Sequence, residues 1–173
     1  MAIERGLWTT VCLSVGAAAV AFALWPAAWP APAGGGRFDA EVVVPGLRAT
    51  AAAVDAACAR GDTEAFAAVT TSAHRGLLDQ HLHAVDRQLD ATTLRALAET
   101  SQVDWFREPP LAGSSRGLRT VVAMPRPNRD GAQVLAFEWD GWRWRLDGSH
   151  YVAAVRDAAT AVAVTDAVLR SRQ

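Results

Sequence analysis

An α+β domain, with N-terminal helices laid on a three- or four-stranded antiparallel sheet and closing like a cone, is the fold the sequence predicts for most of the chain. Three observations lead to it. Apolar residues recur at helical spacing in the first half, alternating apolar runs fill the second, and Gln133 to Gly148 reads as a β-hairpin with one strongly apolar face. Asp140-Gly141 has the residues a two-residue type I′ turn needs, because both central positions take positive φ. That turn sets Trp139 opposite Trp142, Phe137 opposite Trp144 and Leu135 opposite Leu146 on one face. The other face pairs Glu138 with Arg143, Ala136 with Arg145 and Val134 with Asp147, and the Glu-Arg pair is the charge match of an exposed face. The apolar face must be covered, so Phe137, Trp139 and Trp144 are expected buried, and Glu138, Arg143 and Arg145 exposed.

Taken in order, the chain begins with an apolar run, Leu7 to Trp25, that carries no charge over 19 residues. As a helix it spans roughly 28 Å at about 1.5 Å per residue, the thickness of a bilayer core. Trp8 and Trp25 stand at its ends, where interfacial aromatics belong. Residues 1–25 are therefore read as a transmembrane signal anchor. The rival is a cleaved signal peptide ending at Ala31-Pro32-Ala33, which would leave a secreted domain. Arg5 before the span places the N-terminus in the cytoplasm and the rest of the chain outside, in a single-pass inner-membrane arrangement. Residues 26–39, with three prolines and Gly34-Gly35-Gly36, form a linker, and residues 40–173 the globular domain.

Leu47, Ala51, Val54 and Cys58 form a helical stripe, with Pro45 at its start or in its first turn and Gly61 as its C′ residue. Asp62 caps a second helix from Thr63. Gly76 marks a break, and Leu78, Leu82, Val85 and Leu89 repeat the stripe over a helix from Leu77 to Leu89. Asp90 caps a fourth helix ending near Glu99. Strands are expected at Val103 to Arg107 and Leu118 to Met124, separated by a small polar loop from Leu111 to Gly117. After Tyr151 the pattern fits helix or strand, and the alanine content favours helix.

Composition bounds the function. The chain has 173 residues, 51% hydrophobic and 20% charged, with a net charge of -1. No basic cluster stands out, which argues against a nucleic-acid surface. All 17 basic residues are arginine, which together with the abundant alanine reads as the coding bias of a GC-rich bacterial genome. Cys12 and Cys58 alone make neither a disulfide framework nor a zinc site.

Val54 to Phe66, with its helix, Gly61-Asp62 break and second helix, and the late Phe137 to Arg143 resemble the nuclear transport factor 2-like (SnoaL-like, cystatin-like) superfamily over roughly residues 40–150. The resemblance implies a cone-shaped domain that hosts enzymes, ligand carriers and assembly modules alike, so it does not choose among them. The segment after Tyr151 is extra to that pattern, and the helical part is long for it.

Chemistry-bearing residues are few. His74, His81, His83, Asp79 and Asp86 have metal-ligand types, but one helix rarely completes a tetrahedral site and Arg87 lies among them, so a solvated face is the reading. Asp104, His150 and Tyr151 lie near strand ends, where an acid-base pocket would open. No nucleophile-base spacing is visible, and neither catalytic residues, metal nor cofactor are expected. Trp139, Trp142, Trp144, Phe137, Trp105, His150 and Tyr151 are the residues that line either a ligand pocket or the core. The expected function is a membrane-anchored, extracytoplasmic, non-enzymatic domain for protein interaction or assembly in the bacterial cell envelope. Its partners are the membrane, through the N-terminal helix, and an envelope protein or a second copy. The alternative is a small apolar-ligand-binding or enzymatic cone domain.

Overall fold

The structure, a computed structural model, describes residues 38–100, 105–126 and 131–171. The anchor, most of the linker and Asp104 lie outside the described residues. Within them the fold is α+β, with five helices and one four-stranded antiparallel sheet. The order is α1 (Ala40–Arg60), α2 (Thr63–Val69), α3 (Ser72–His83), α4 (Ala91–Thr100), β1 (Ala112–Arg116), β2 (Arg119–Pro125), β3 (Ala132–Trp139), β4 (Trp144–Val152) and α5 (Ala158–Ser171). The strands are adjacent in chain order, β1-β2-β3-β4.

Short acceptor side chains start the helices by capturing N–H groups that have no partner within the helix. Asp39 accepts from Glu41 N, Asp62 from Ala65 N, Thr71 from His74 N, Asp90 from Thr93 N and Asp157 from Thr160 N. Gly61 ends α1 at φ 66, and its N–H and that of Asp62 return to Cys58 O and Ala57 O. Because the Asp39 cap precedes Ala40, Pro45 sits inside α1, beyond its start and first turn. The missing N–H forgoes one helical bond there. By length and composition α1 would also cross a membrane; here Val43, Leu47, Ala51, Val54 and Ala57 are buried within the domain.

The third helix differs from the expected one at both ends. Thr71 starts it ahead of Gly76, which lies inside the helix in open space. It stops at His83 because Asp86 adopts φ 55, while Arg87 N–H reaches back to Leu82 O and Asp86 N–H to His83 O, the hydrogen bonds of a Schellman ending. The leucine stripe is thereby cut. Leu82 is buried, but Val85 is 64% exposed.

No strand forms at Trp105 to Arg107, which lie in a turn; Val103 and Asp104 are outside the described residues. The first strand falls instead on Ala112–Arg116, the stretch expected as a loop. Its Gly and Ser residues have little β propensity, and pairing overrides that. Ser114 pairs with Val121 across the ladder, and its hydroxyl donates to Asp166 of α5 and lies 3.0 Å from Thr165 Oγ1.

Both faces of the sheet are covered. Val121, Ala123, Ala132, Val134 and Ala136 pack with Val155 and with Ala161 and Leu169 of α5. On the opposite side α1, α2 and α3 meet β4. The face expected to be polar or small is thus a second core layer, because α5 crosses β1 and β2 and shields it from water.

The hairpin register differs from the expected one by two residues. Trp139 pairs with Trp144, Glu138 with Arg145 and Phe137 with Leu146. A shift of two preserves side-chain parity, so Phe137, Trp139, Trp144 and Leu146 still share a face and are buried, while Trp142 moves into the turn. A bulge follows. Ala136 pairs with Gly148, leaving Asp147 as the extra residue of β4.

Two outcomes are expected. Gly141 stands at φ 99, so Gly141→Val should lower unfolding free energy by about 1–3 kcal/mol from backbone strain alone, as read by urea denaturation, since the space around it is open. Equal stability would mean that the turn relaxes freely. Removal of residues 1–36 should leave a soluble domain with a cooperative thermal transition, because the Phe38 ring lies against Gly113 at the domain boundary. Aggregation of that product would move the boundary.

Candidate functional site

The seven residues singled out in the sequence differ in burial and place. Phe137, Trp139 and Trp144 are core residues. The indoles of Trp139 and Trp144 meet edge to face at 5.5 Å between centroids, and Phe137 packs against Phe106 at 6.4 Å. Such pairs add about 0.5–1.5 kcal/mol each to simple burial. Trp105 is half-buried beside Phe106 in the turn that precedes β1. His150 and Tyr151 are exposed near the end of β4, where the Arg126 guanidinium stands 5.5 Å from the Tyr151 ring. Trp142 is 70% exposed in the β3–β4 turn.

That turn is built by Asp140. Its Oδ1 accepts from the backbone N–H of Trp142 and of Arg143, both at 2.9 Å, and Asp140 N–H donates to Arg143 O at 3.1 Å. Its Oδ2 lies 2.7 Å from Arg145 Nε and 3.7 Å from Arg143 Nε. The Arg145 contact is close, but the N–H is not aimed along it, so it acts as an ion pair more than as a hydrogen bond. Partial burial alone would raise the Asp140 carboxyl. The N–H groups of Trp142 and Arg143, then the guanidiniums of Arg145 and Arg143, outweigh it and hold the carboxyl below the usual carboxylate range.

The β1–β2 turn lies at the same end of the sheet, since Arg116 pairs with Arg119 around Gly117 and Leu118, and Trp139 N–H donates to Leu118 O. Leu118 is 53% exposed. Arg119 faces Glu138 at 3.9 Å across the ladder. This end therefore displays two apolar side chains, Leu118 and Trp142, among Arg116, Arg119, Arg143 and Arg145. Among the described residues the ion pairs at this end are those of Glu138 with Arg119 and of Asp140 with Arg143 and Arg145. Sequence reasoning missed Leu118 and Arg116 because neither sits in the aromatic hairpin. The Gly117 turn was the signal that brings them to the same end.

Elsewhere the chemistry is sparse. Among the described residues no group of three or more His, Cys, Asp or Glu side chains is placed to hold a metal ion. His81 Nδ1 bonds its own helix at Leu77 O, 2.7 Å away. Burial, followed by the charge of Asp55, pushes the Cys58 thiol up to about 11, so it stays protonated at neutral pH and is no nucleophile. Asp147 is the buried carboxylate of the described residues, 5% exposed. Thr71, which caps α3, also donates its hydroxyl to Asp147 Oδ1 at 2.6 Å.

Comparison with known proteins adds no relative: no family model matches the chain, and neither a curated protein nor a solved structure matches it significantly.

Two measurements check this geometry. Trp142→Ala should change stability by less than about 0.5 kcal/mol, the usual range for an exposed side chain, whereas Trp144→Ala should cost about 3–5 kcal/mol by opening the core. The pH dependence follows from Asp140. Its folded pKa lies below its unfolded value of about 4, so the unfolded chain takes the proton first. The stabilisation is complete above about pH 4 and is lost as pH falls through the lowered folded value. In Asp140→Asn the acid fall in melting temperature should be shallower than in the parent chain.

Proposed function

We propose that this protein is a membrane-anchored, extracytoplasmic, non-enzymatic domain that works by surface contact in the bacterial cell envelope. The observation that carries the reading is the division of labour among the aromatics. Phe137, Trp139 and Trp144, which would wall a ligand site, are occupied in packing. Trp142 is instead held in water by a turn pinned through both oxygens of Asp140. With Leu118 53% exposed on the neighbouring turn, Trp142 forms a small apolar patch rimmed by arginines, and tryptophan and arginine are among the residues on which interfaces concentrate their energy. The uncharged run Leu7 to Trp25 and the Pro/Gly-rich residues 26–39 supply the anchor and linker.

One observation favours the second reading, a small-ligand or enzymatic cone of the nuclear transport factor 2-like kind. Asp147 is a buried carboxylate at a β-bulge, and bulges concentrate beside active sites. Its bond to the capping hydroxyl of Thr71 gives it an architectural role, tying α3 to β4, and that weighs toward the first reading.

Fractionation of cells that make the full chain tests the proposal. The protein should stay in the membrane pellet through alkaline carbonate, and protease added to spheroplasts should digest residues 40–173. Release by carbonate, or protection until the inner membrane is permeabilised, would refute it. A domain shed intact into the outer compartment would favour the cleaved-signal alternative.

A further inference from the structure

We infer that the end of the sheet carrying Leu118 and Trp142 docks onto an anionic lipid surface, the domain folding back against the bilayer that anchors it. The inference rests on the anchored reading above. Its chemistry is that of a lipid interface: an indole at a turn apex, a second apolar side chain on the neighbouring turn and a surround of guanidiniums. Glu138 and Asp140 each engage arginines here, through Arg119 and through Arg143 and Arg145. Among these groups four guanidiniums face two carboxylates, a local excess of two positive charges on a chain that carries -1 overall. Among the described residues the Arg116 guanidinium makes no ion pair, so its charge is available to a phosphate.

Area favours lipid over a protein partner. The largest side chains bury about 150–250 Å² each, so two partly exposed ones offer a few hundred at most. A stable protein interface takes about 800 Å² from each side, somewhat over half of it apolar, which is more apolar surface than these two side chains alone supply. A bilayer needs no shape-matched partner, and linkage to the membrane raises the local lipid concentration without any new contact. Reach is sufficient. The chain enters the domain at Phe38 beside Gly113, toward the opposite end of β1 from Gly117 and Leu118. Residues 26–37 extend to about 40 Å at most, and the nine-residue β4 is about 30 Å long. By contour length alone, twelve residues allow this end of the domain to reach the bilayer.

Hydrogen exchange with mass spectrometry on the full chain in lipid nanodiscs tests this. Discs of phosphatidylcholine are compared with discs in which phosphatidylglycerol replaces about a third of it. Exchange over residues 116–119 and 140–143 should slow on the order of tenfold in the anionic discs, from two net charges near the surface. Raising the salt should cancel the effect. Trp142→Ala and Arg116→Glu should each abolish it while exchange within α1 stays unchanged. Equal exchange of both turns in the two disc types would overturn the docking and leave the anchor standing. Recovery of the chain free of discs would overturn the anchored reading and the docking with it. Slowing in phosphatidylcholine discs that grows with the number of chains per disc would assign this end to a second copy, and that also overturns the lipid proposal.

Discussion

The Asp140 carboxylate is the small constraint from which the rest of the sheet takes its alignment. By accepting two N–H groups from the turn it does the work that the backbone carbonyl does in a tighter hairpin. The consequence is the pairing of Trp139 with Trp144. Trp144 O, pointing away from β3, is then free to accept the hydroxyl of Thr50, which also reaches Gly46 O within its own helix. One side chain thus sets the register, and the register sets where α1 docks. Moving that register would carry Trp144 and Leu146 off their partners together, since each pair on the ladder depends on the others.

The bulge at Asp147 completes this arrangement. Before it, β4 contributes Trp144 and Leu146 to the core beneath α1; after it, Val152 packs with the layer covered by α5. Thr71 N–H bonds Leu146 O and Thr71 Oγ1 bonds Asp147, so the loop between α2 and α3 covers the outer edge of β4 at the bulge. A bare sheet edge invites pairing with other chains, and a bulge with a loop laid over it removes part of that template. The domain is closed on both faces and guarded at this edge. The end bearing the β1–β2 and β3–β4 turns leaves Leu118 and Trp142 in water.

Much of this was legible in the sequence, for physical reasons that differ by element. Asp62, Asp90 and Gly61 were readable because capping is local chemistry, decided within three or four residues. The buried face of the hairpin was readable because parity survives a shift of two. The register itself was not, since Asp-Gly fits a type I′ turn and an Asp-capped turn alike, and only cross-strand packing separates them. The end of α3 was hidden because Asp86 takes a left-handed conformation more typical of glycine. The strand at Ala112–Arg116 was hidden because its stability comes from β2 and α5 and not from its own residues. For the candidate site the sequence pointed to Trp142 but assigned it to the aromatic wall. Leu118 and Arg116 became its neighbours only through the β2–β3 ladder.

The Asp140-pinned register organises the domain, and proton–proton contacts across the hairpin test it most directly. Trp139 and Trp144 form a pair whose N–H groups do not bond each other, which brings their Cα atoms to about 4.5 Å. An NMR spectrum of the full chain in detergent should therefore show a strong Hα–Hα contact between Trp139 and Trp144. A strong Trp139–Trp142 contact in its place would contradict the register and, with it, the placement of Trp142 at the exposed end of the sheet.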